Sequence, residues 1–166
     1  MLTGMSASPT VEEFWAEVRT ALPGLPEAVP EAWAFGATPD HADGLLALVL
    51  EGTKTATASS LWDLEHTGDP VPGVGELSII LDGRGVPRAL LETTAVEVVA
   101  FDEVSESHAF AEGEGDRSLA QWREVHEHYW RAYSASPRGF ESRMPIVCER
   151  LKLRYAEGRA ASTARP

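Results

Sequence analysis

Residues 77–101, LSIILDGRGVPRALLETTAVEVVAF, carry the pattern from which the fold can be read. Leu77 to Leu81 is a short branched apolar run, the signature of a strand. Asp82-Gly83-Arg84-Gly85 supplies turn chemistry. Arg88 to Phe101 then reads as one long strand, or as two strands joined at a bulge, rich in Thr and Val. Strand, tight turn and strand with no crossover between them make an antiparallel hairpin.

Beyond the hairpin, Ser105 to Ala111 suits a short helix, and Glu112-Gly113-Glu114-Gly115-Asp116 ends it with glycines and carboxylates. Ser118 with Gln121 resembles a capping box. Leu119, Trp122, His126, Tyr129 and Tyr133 then fall on one helical face. Ile146 to Tyr155 alternates: Val147, Leu151, Leu153 and Tyr155 point one way, and Arg150, Lys152 and Arg154 the other.

Before the hairpin, Val11, Phe14, Trp15 and Val18 predict a helix from about Val11 to Leu22. Pro23, Gly24, Pro26 and Pro30 break it into a connector. Thr38-Pro39 is an N-cap followed by proline at the first helical position, and Gly52 closes that helix. Residues 1–10 and those after Ala156 read as tails. Helices and antiparallel strands without a βαβ rhythm predict an α+β fold with a small curved sheet or barrel.

The chain has 166 residues, 43% of them hydrophobic, which fits one domain with a real core. It contains no apolar run long enough to span a membrane, and its N-terminus lacks a secretory pattern. The single cysteine, Cys148, can form neither an internal disulfide nor a cysteine-rich metal site. A cytoplasmic protein is the expectation. The net charge of −12 argues against coating a polyanion, because that requires cations at phosphates. A nucleoside or another small substrate needs no such neutralisation.

Gly52-Thr53-Lys54-Thr55-Ala56-Thr57-Ala58-Ser59-Ser60 concentrates one amine and several hydroxyls just past a helix end. A lysine partly removed from water can act as a base, and a nearby threonine hydroxyl can be activated as a nucleophile or hold a carbonyl. The competing reading is a Thr-rich edge strand with one solvated lysine. Glu112, Glu114 and Asp116 could face that lysine, or form a solvated acidic loop with Asp116 at a helix N-terminus. His126 and His128, two apart on a helix, point in different directions, so no metal site is expected. His126 is expected to pack and His128 to be exposed. Trp33, Phe35 and Trp62 are either core or stacking platforms for a base.

Four segments in order, AWAFGATPDHADGLLALVLEGTKTATAS (32–59), VGELSIILDGRGVP (74–87), FAEGEGDRSLAQWREVH (110–126) and MPIVCERLKLRY (144–155), resemble the ASCH domain family. The resemblance covers about residues 30–155, preceded by a tail and helix over 1–29 and followed by a tail over 156–166. It is strongest to the bacterial stand-alone branch with the Glu-Gly-Glu-Gly-Asp signature. It implies a small PUA-like β-barrel flanked by helices, with a cleft lined by the Lys-x-x-Thr element. It also implies one of two classes of activity. The first is hydrolysis of the acetyl amide of N(4)-acetylcytidine by a Lys, a Thr and a Glu, without a metal or organic cofactor. The second is RNA binding, or ribonuclease action, in the same cleft.

Carried onto this chain, the catalytic set is Lys54, Thr57 and Glu114, with Glu112 the alternative glutamate. Trp33, Phe35, Thr55, Ser59, Trp62 and Glu112 are the candidate substrate contacts. The ligand expected is a modified nucleoside or single-stranded RNA.

Overall fold

The protein, represented by a computed structural model, is described over residues 7–157. Most of the two sequence-predicted tails therefore lies outside the described residues. The elements in chain order are α1 (Val11–Ala21), β1 (Glu31–Trp33), α2 (Pro39–Glu51), β2 (Ala56–Ser60) and α3 (Leu61–Thr67). They continue with β3 (Leu77–Leu81), β4 (Pro87–Ala100), a 3₁₀ turn over Phe101–Glu103, α4 (Glu106–Glu112), α5 (Leu119–Tyr133) and β5 (Pro145–Ala156). The strands form one curled, half-barrel sheet in the order β1-β3-β4-β5-β2. The α+β expectation holds.

The hairpin of β3 and β4 is antiparallel, and β4 continues as the long partner of β5. Register shifts at Leu90/Leu91 and Thr93/Ala95 are the bulges that bend β4. One strand departs from the antiparallel expectation: β1 runs parallel to β3, so the sheet is mixed. The chain leaves β1 for α2, β2 and α3 before returning as β3, and that long connection permits a parallel pairing. Neither β1 nor α3 shows a local pattern by which it could be read in advance. A three-residue strand cannot show alternation, and α3 buries none of its residues.

Three apolar clusters fix the layers. Ile79 and Leu90 face α1, packing with Phe14, Trp15, Val18 and Tyr155. Their neighbours Ile80 and Leu91 face the other side, packing with Leu46 and Val49 of α2 and with Phe35. Each such large side chain, fully buried, is worth about 1.5–3 kcal/mol. The third cluster joins Trp122 and Trp130 of α5 to Phe101, Met144, Ile146 and Cys148. The first half of β5 is therefore covered on both faces: Ile146, Val147, Cys148 and Glu149 are all buried, where alternation was expected.

Cap chemistry follows the sequence closely. Thr38 Oγ1 accepts from the His41 N–H, Pro39 opens α2, and Gly52 closes it in the left-handed conformation at φ 84°. Ser118 Oγ accepts from the Gln121 N–H at the start of α5. The Gln121 carboxamide turns instead to the Asp116 N–H, so the box is closed two residues earlier than its usual form.

Candidate functional site

Lys54 is only 3% exposed. It follows directly on the helix end that Gly52 makes possible: Leu48 O accepts from both the Thr53 and Lys54 N–H groups, each at 3.0 Å. The next residue ties the segment to α4, since the Thr55 N–H donates to Ala111 O at 2.7 Å. Lys54 is thus clamped between the ends of two helices, two residues before the edge strand β2.

Its ammonium donates to two oxygens and forms an ion pair with a third. Glu114 Oε2 lies at 3.4 Å, Glu112 O at 3.5 Å and Glu112 Oε1 at 3.6 Å. The Phe35 ring centroid sits 5.5 Å from Nζ, an added cation–π contact. Both glutamates of the acidic loop therefore face Lys54. Gly113 makes this possible, with φ 72° and a backbone so close to Thr53 that an added Cβ would stand 2.5 Å from Thr53 O. Asp116 does the other job expected of the loop. Its Oδ1 accepts from the Ser118 N–H, and the hydrogen bonds from Ser118 hold its carboxyl below the usual range.

The two glutamates differ. Glu112 is 2% exposed and serves as a hub. Its Oε2 accepts from His108 Nε2 at 2.6 Å and from the Trp122 indole N–H. Its Oε1 faces His126 Nε2 at 3.3 Å as well as Lys54. Burial alone would push this carboxyl up. The opposing pull of His126, His108 and Lys54 prevails and holds it well below the usual carboxylate range. The Glu114 side chain is 28% exposed and meets only Lys54.

His126 was expected to pack, and it does, stacking on Trp122 with ring centroids 4.1 Å apart. It is also a charged member of the site. Nδ1 lies 2.8 Å from Trp122 O and Nε2 faces Glu112, so both ring nitrogens point at acceptors and both carry hydrogen. Burial would lower its pKa, but Glu112 and Glu114 raise it above the ordinary histidine value. His128 is exposed. Ligand atoms of Glu112, Glu114 and His126 come within 4.8 Å of one another, the spacing of a metal ligand set. Lys54 Nζ already occupies the cationic position between the two carboxylates.

Lys54, Thr57, Glu112, Glu114 and His126 line one cavity of about 100 Å³ together with Phe35 and Tyr129. A wider compartment of about 290 Å³ adjoins it through the shared residues Phe35, Gly36, Thr57, Ala58 and Tyr129. Trp33 and Ser59 line this second compartment, with Trp33 edge-on to Phe35 at 4.8 Å. Burial, together with Asp63 and Tyr133, raises the Tyr129 hydroxyl pKa.

Two expected contacts lie elsewhere. Thr55 directs its hydroxyl to Ala111 O, and Trp62 packs on the core under the Arg138 guanidinium. Cys148 is buried with its thiol pushed up to about 12, chiefly by that burial, and offers no nucleophile. Sequence reasoning missed Tyr129, and it missed His108, Trp122 and His126 as partners of Glu112. The one available signal was that Trp122, His126 and Tyr129 share the buried face of α5.

The sequence profile described as the ASCH domain matches residues 31–155. Two crystal structures resemble the chain closely. One is a protein from Enterococcus faecalis V583 of the family DUF984, with a TM-score of 0.78 and 35% identity over 86% of each chain. The other is an ASCH domain from Lactobacillus crispatus JV V101, with a TM-score of 0.75 and 27% identity over 90% of this chain and 97% of that one. A comparison with curated proteins finds no match.

Proposed function

The chain belongs to the ASCH domain family, and from that premise we propose that it is a small amidohydrolase acting on a modified nucleoside of the N(4)-acetylcytidine type. Its Glu112-Gly113-Glu114-Gly115-Asp116 run supports a place in the stand-alone branch that carries this signature. The observation that carries the catalytic reading is the burial of Lys54 against two carboxylates in the cavity that Thr57 also lines.

In this scheme Thr57 is the nucleophile. Lys54 is held between two carboxylates as an ammonium, so in this scheme it becomes a base only after passing one proton to a neighbour. Glu114 is that neighbour, because it is reachable from the cavity and bonds only Lys54. Glu112 is committed to four partners and acts as the anchor that positions Lys54 and His126. The Thr57 hydroxyl proton moves to Lys54 as its oxygen attacks the amide carbonyl. The C–N bond then breaks, and the leaving amine takes the proton held on Glu114. Water hydrolyses the acyl-threonine by the same relay. Because β2 is an edge strand, N–H groups on its free side are available to the developing oxyanion. No metal or organic cofactor enters the scheme.

The alternative of RNA binding or cleavage has less support. The wider compartment is lined by Glu31, Asp69, Glu76 and Glu149 and by no lysine or arginine, the reverse of a phosphate-binding surface. Its volume of about 290 Å³ sits at the lower edge of small-molecule sites and suits a nucleoside.

The test is hydrolysis of N(4)-acetylcytidine by the wild type beside Lys54→Ala and Thr57→Val. Turnover is expected in the wild type and should fall by about 10²–10⁴ when the base is removed. Folded wild type without turnover would overturn this substrate.

A further inference from the structure

The scheme above leaves Glu149 unused. This residue lies in the first half of β5, directly opposite Thr57 on β2. Directly opposed residues of an antiparallel pair project from the same face, and both line the wider compartment. Glu149 is 6% exposed, yet among the described residues it has no cationic partner. The Thr93 hydroxyl donates to Oε1 at 3.1 Å. Among the described residues Oε2 receives no hydrogen bond.

Among the described residues the one buried side-chain polar atom without a partner is Ser134 Oγ, so Glu149 Oε2 opens onto the cleft, where water or a ligand N–H can meet it. Burial pushes the Glu149 carboxyl up, and the negative charge of Glu76 adds to that, against the hydrogen bond from Thr93. The rest of the compartment repeats the theme. Glu31, Asp69 and Glu76 are acidic and outside every ion pair among the described residues. Such a field attracts N–H donors and repels phosphate.

We infer that Glu149 is the specificity-determining residue of this cleft. Its free oxygen accepts a hydrogen bond from an N–H group of a phosphate-free, nitrogen-rich substrate, beside the bond that Thr57 attacks. The inference rests on the placement of Thr57 as nucleophile and names what lies next to the scissile carbonyl. An exocyclic amine on a pyrimidine has the required chemistry, since a carboxylate oxygen accepts well from such a group. The ring then stands near Trp33 and Phe35, and its sugar carries no phosphate past the four acids.

The test uses ligands that cannot turn over, read by calorimetric titration. The probes are cytidine, its analogue lacking the 4-amino group (pyrimidin-2-one riboside), and cytidine 5′-monophosphate. Wild type is expected to bind cytidine about tenfold more tightly than the deamino analogue, the order of one well-placed base contact. It should also prefer cytidine to the monophosphate. Glu149→Leu, which removes the acceptor at a buried position, should erase the first preference. Glu149→Gln, which keeps an acceptor oxygen and guards against a folding defect in the leucine variant, should retain it.

Equal binding of cytidine and the deamino analogue by wild type would overturn the inference. So would binding of neither, or a preference that survives Glu149→Leu. Repeating the titration with Lys54→Ala separates the two proposals. A Glu149-dependent preference that persists there, without hydrolysis of N(4)-acetylcytidine by the wild type, would sink the reaction and leave the binding role standing.

Discussion

Glu112 on the helical wall of the cleft and Glu149 on its strand wall are both buried carboxylates, and the protein treats them in opposite ways. Glu112 meets the Lys54 ammonium, the His126 ring, the His108 ring and the Trp122 indole. Glu149 meets one threonine hydroxyl. Neighbours hold the first carboxyl well down, while burial pushes the second up. The difference teaches where to look for structure and where for recognition. A buried charge with all its partners supplied by the chain is an architectural device, whereas one left short of partners has room for a ligand.

Breaking the helical wall should have the largest effect. Glu112→Ala strips the shared anion from Lys54 and His126, both of which it holds within the buried site. A loss of about 3–5 kcal/mol is expected from chemical denaturation. Glu114→Ala, whose side chain is part-exposed with a single partner, should cost far less stability while removing turnover. A Glu112 variant as stable as wild type would break the distinction between anchor and proton carrier. Gly113→Ala comes next. The positive φ and the close approach to Thr53 O make the substitution strained, with an expected cost of about 1–3 kcal/mol. It should also move Glu114 away from Lys54, so turnover should fall by more than the stability loss explains.

The helical wall was largely legible in the sequence and the strand wall was not. Lys54 follows a helix whose start, Thr38-Pro39, and stop, Gly52, obey local rules, so its position could be read directly. The glycines around Glu112 and Glu114 signalled a tight turn, and the family resemblance brought that turn to Lys54. His126 could be placed on a buried helical face. Its charge partner, Glu112, lies across a loop on another helix, and no local pattern shows such a pairing.

Glu149 was hidden for a different reason. The run Ile146-Val147-Cys148-Glu149 looks like the start of an alternating strand with one solvent face. Packing of α5 on one side and the cleft on the other covers both faces, and covering of that kind is a tertiary fact. The same limit concealed the parallel pairing of β1. It also left Trp62 open between core and cleft, and α3 turns that ring onto the core.

The smallest effect is the sharpest test of the contrast, because its sign is opposite to that of the usual buried-residue mutation. The folded pKa of Glu149 lies above the ordinary value of 4.5. The folded state therefore holds this proton longer than the unfolded state does. Below pH 4.5 both states are protonated, and the group costs nothing. As the pH rises through the folded value, ionisation penalises the folded state, and above it the penalty is constant. Glu149→Gln is neutral at every pH and keeps a hydrogen bond with the Thr93 hydroxyl, which can accept from the amide as well as donate. It should match wild type in acid and become slightly more stable near neutrality, read as a rise in Tm. Glu112 runs the other way: its contribution is present above pH 4.5 and is lost as the pH falls through its depressed folded value. Melting curves across pH for the two glutamine variants should therefore diverge from wild type with opposite signs. If Glu149→Gln were destabilising at neutral pH, Glu149 would be a structural ion like Glu112, and the division of the cleft into an anchoring wall and a recognising wall would fail.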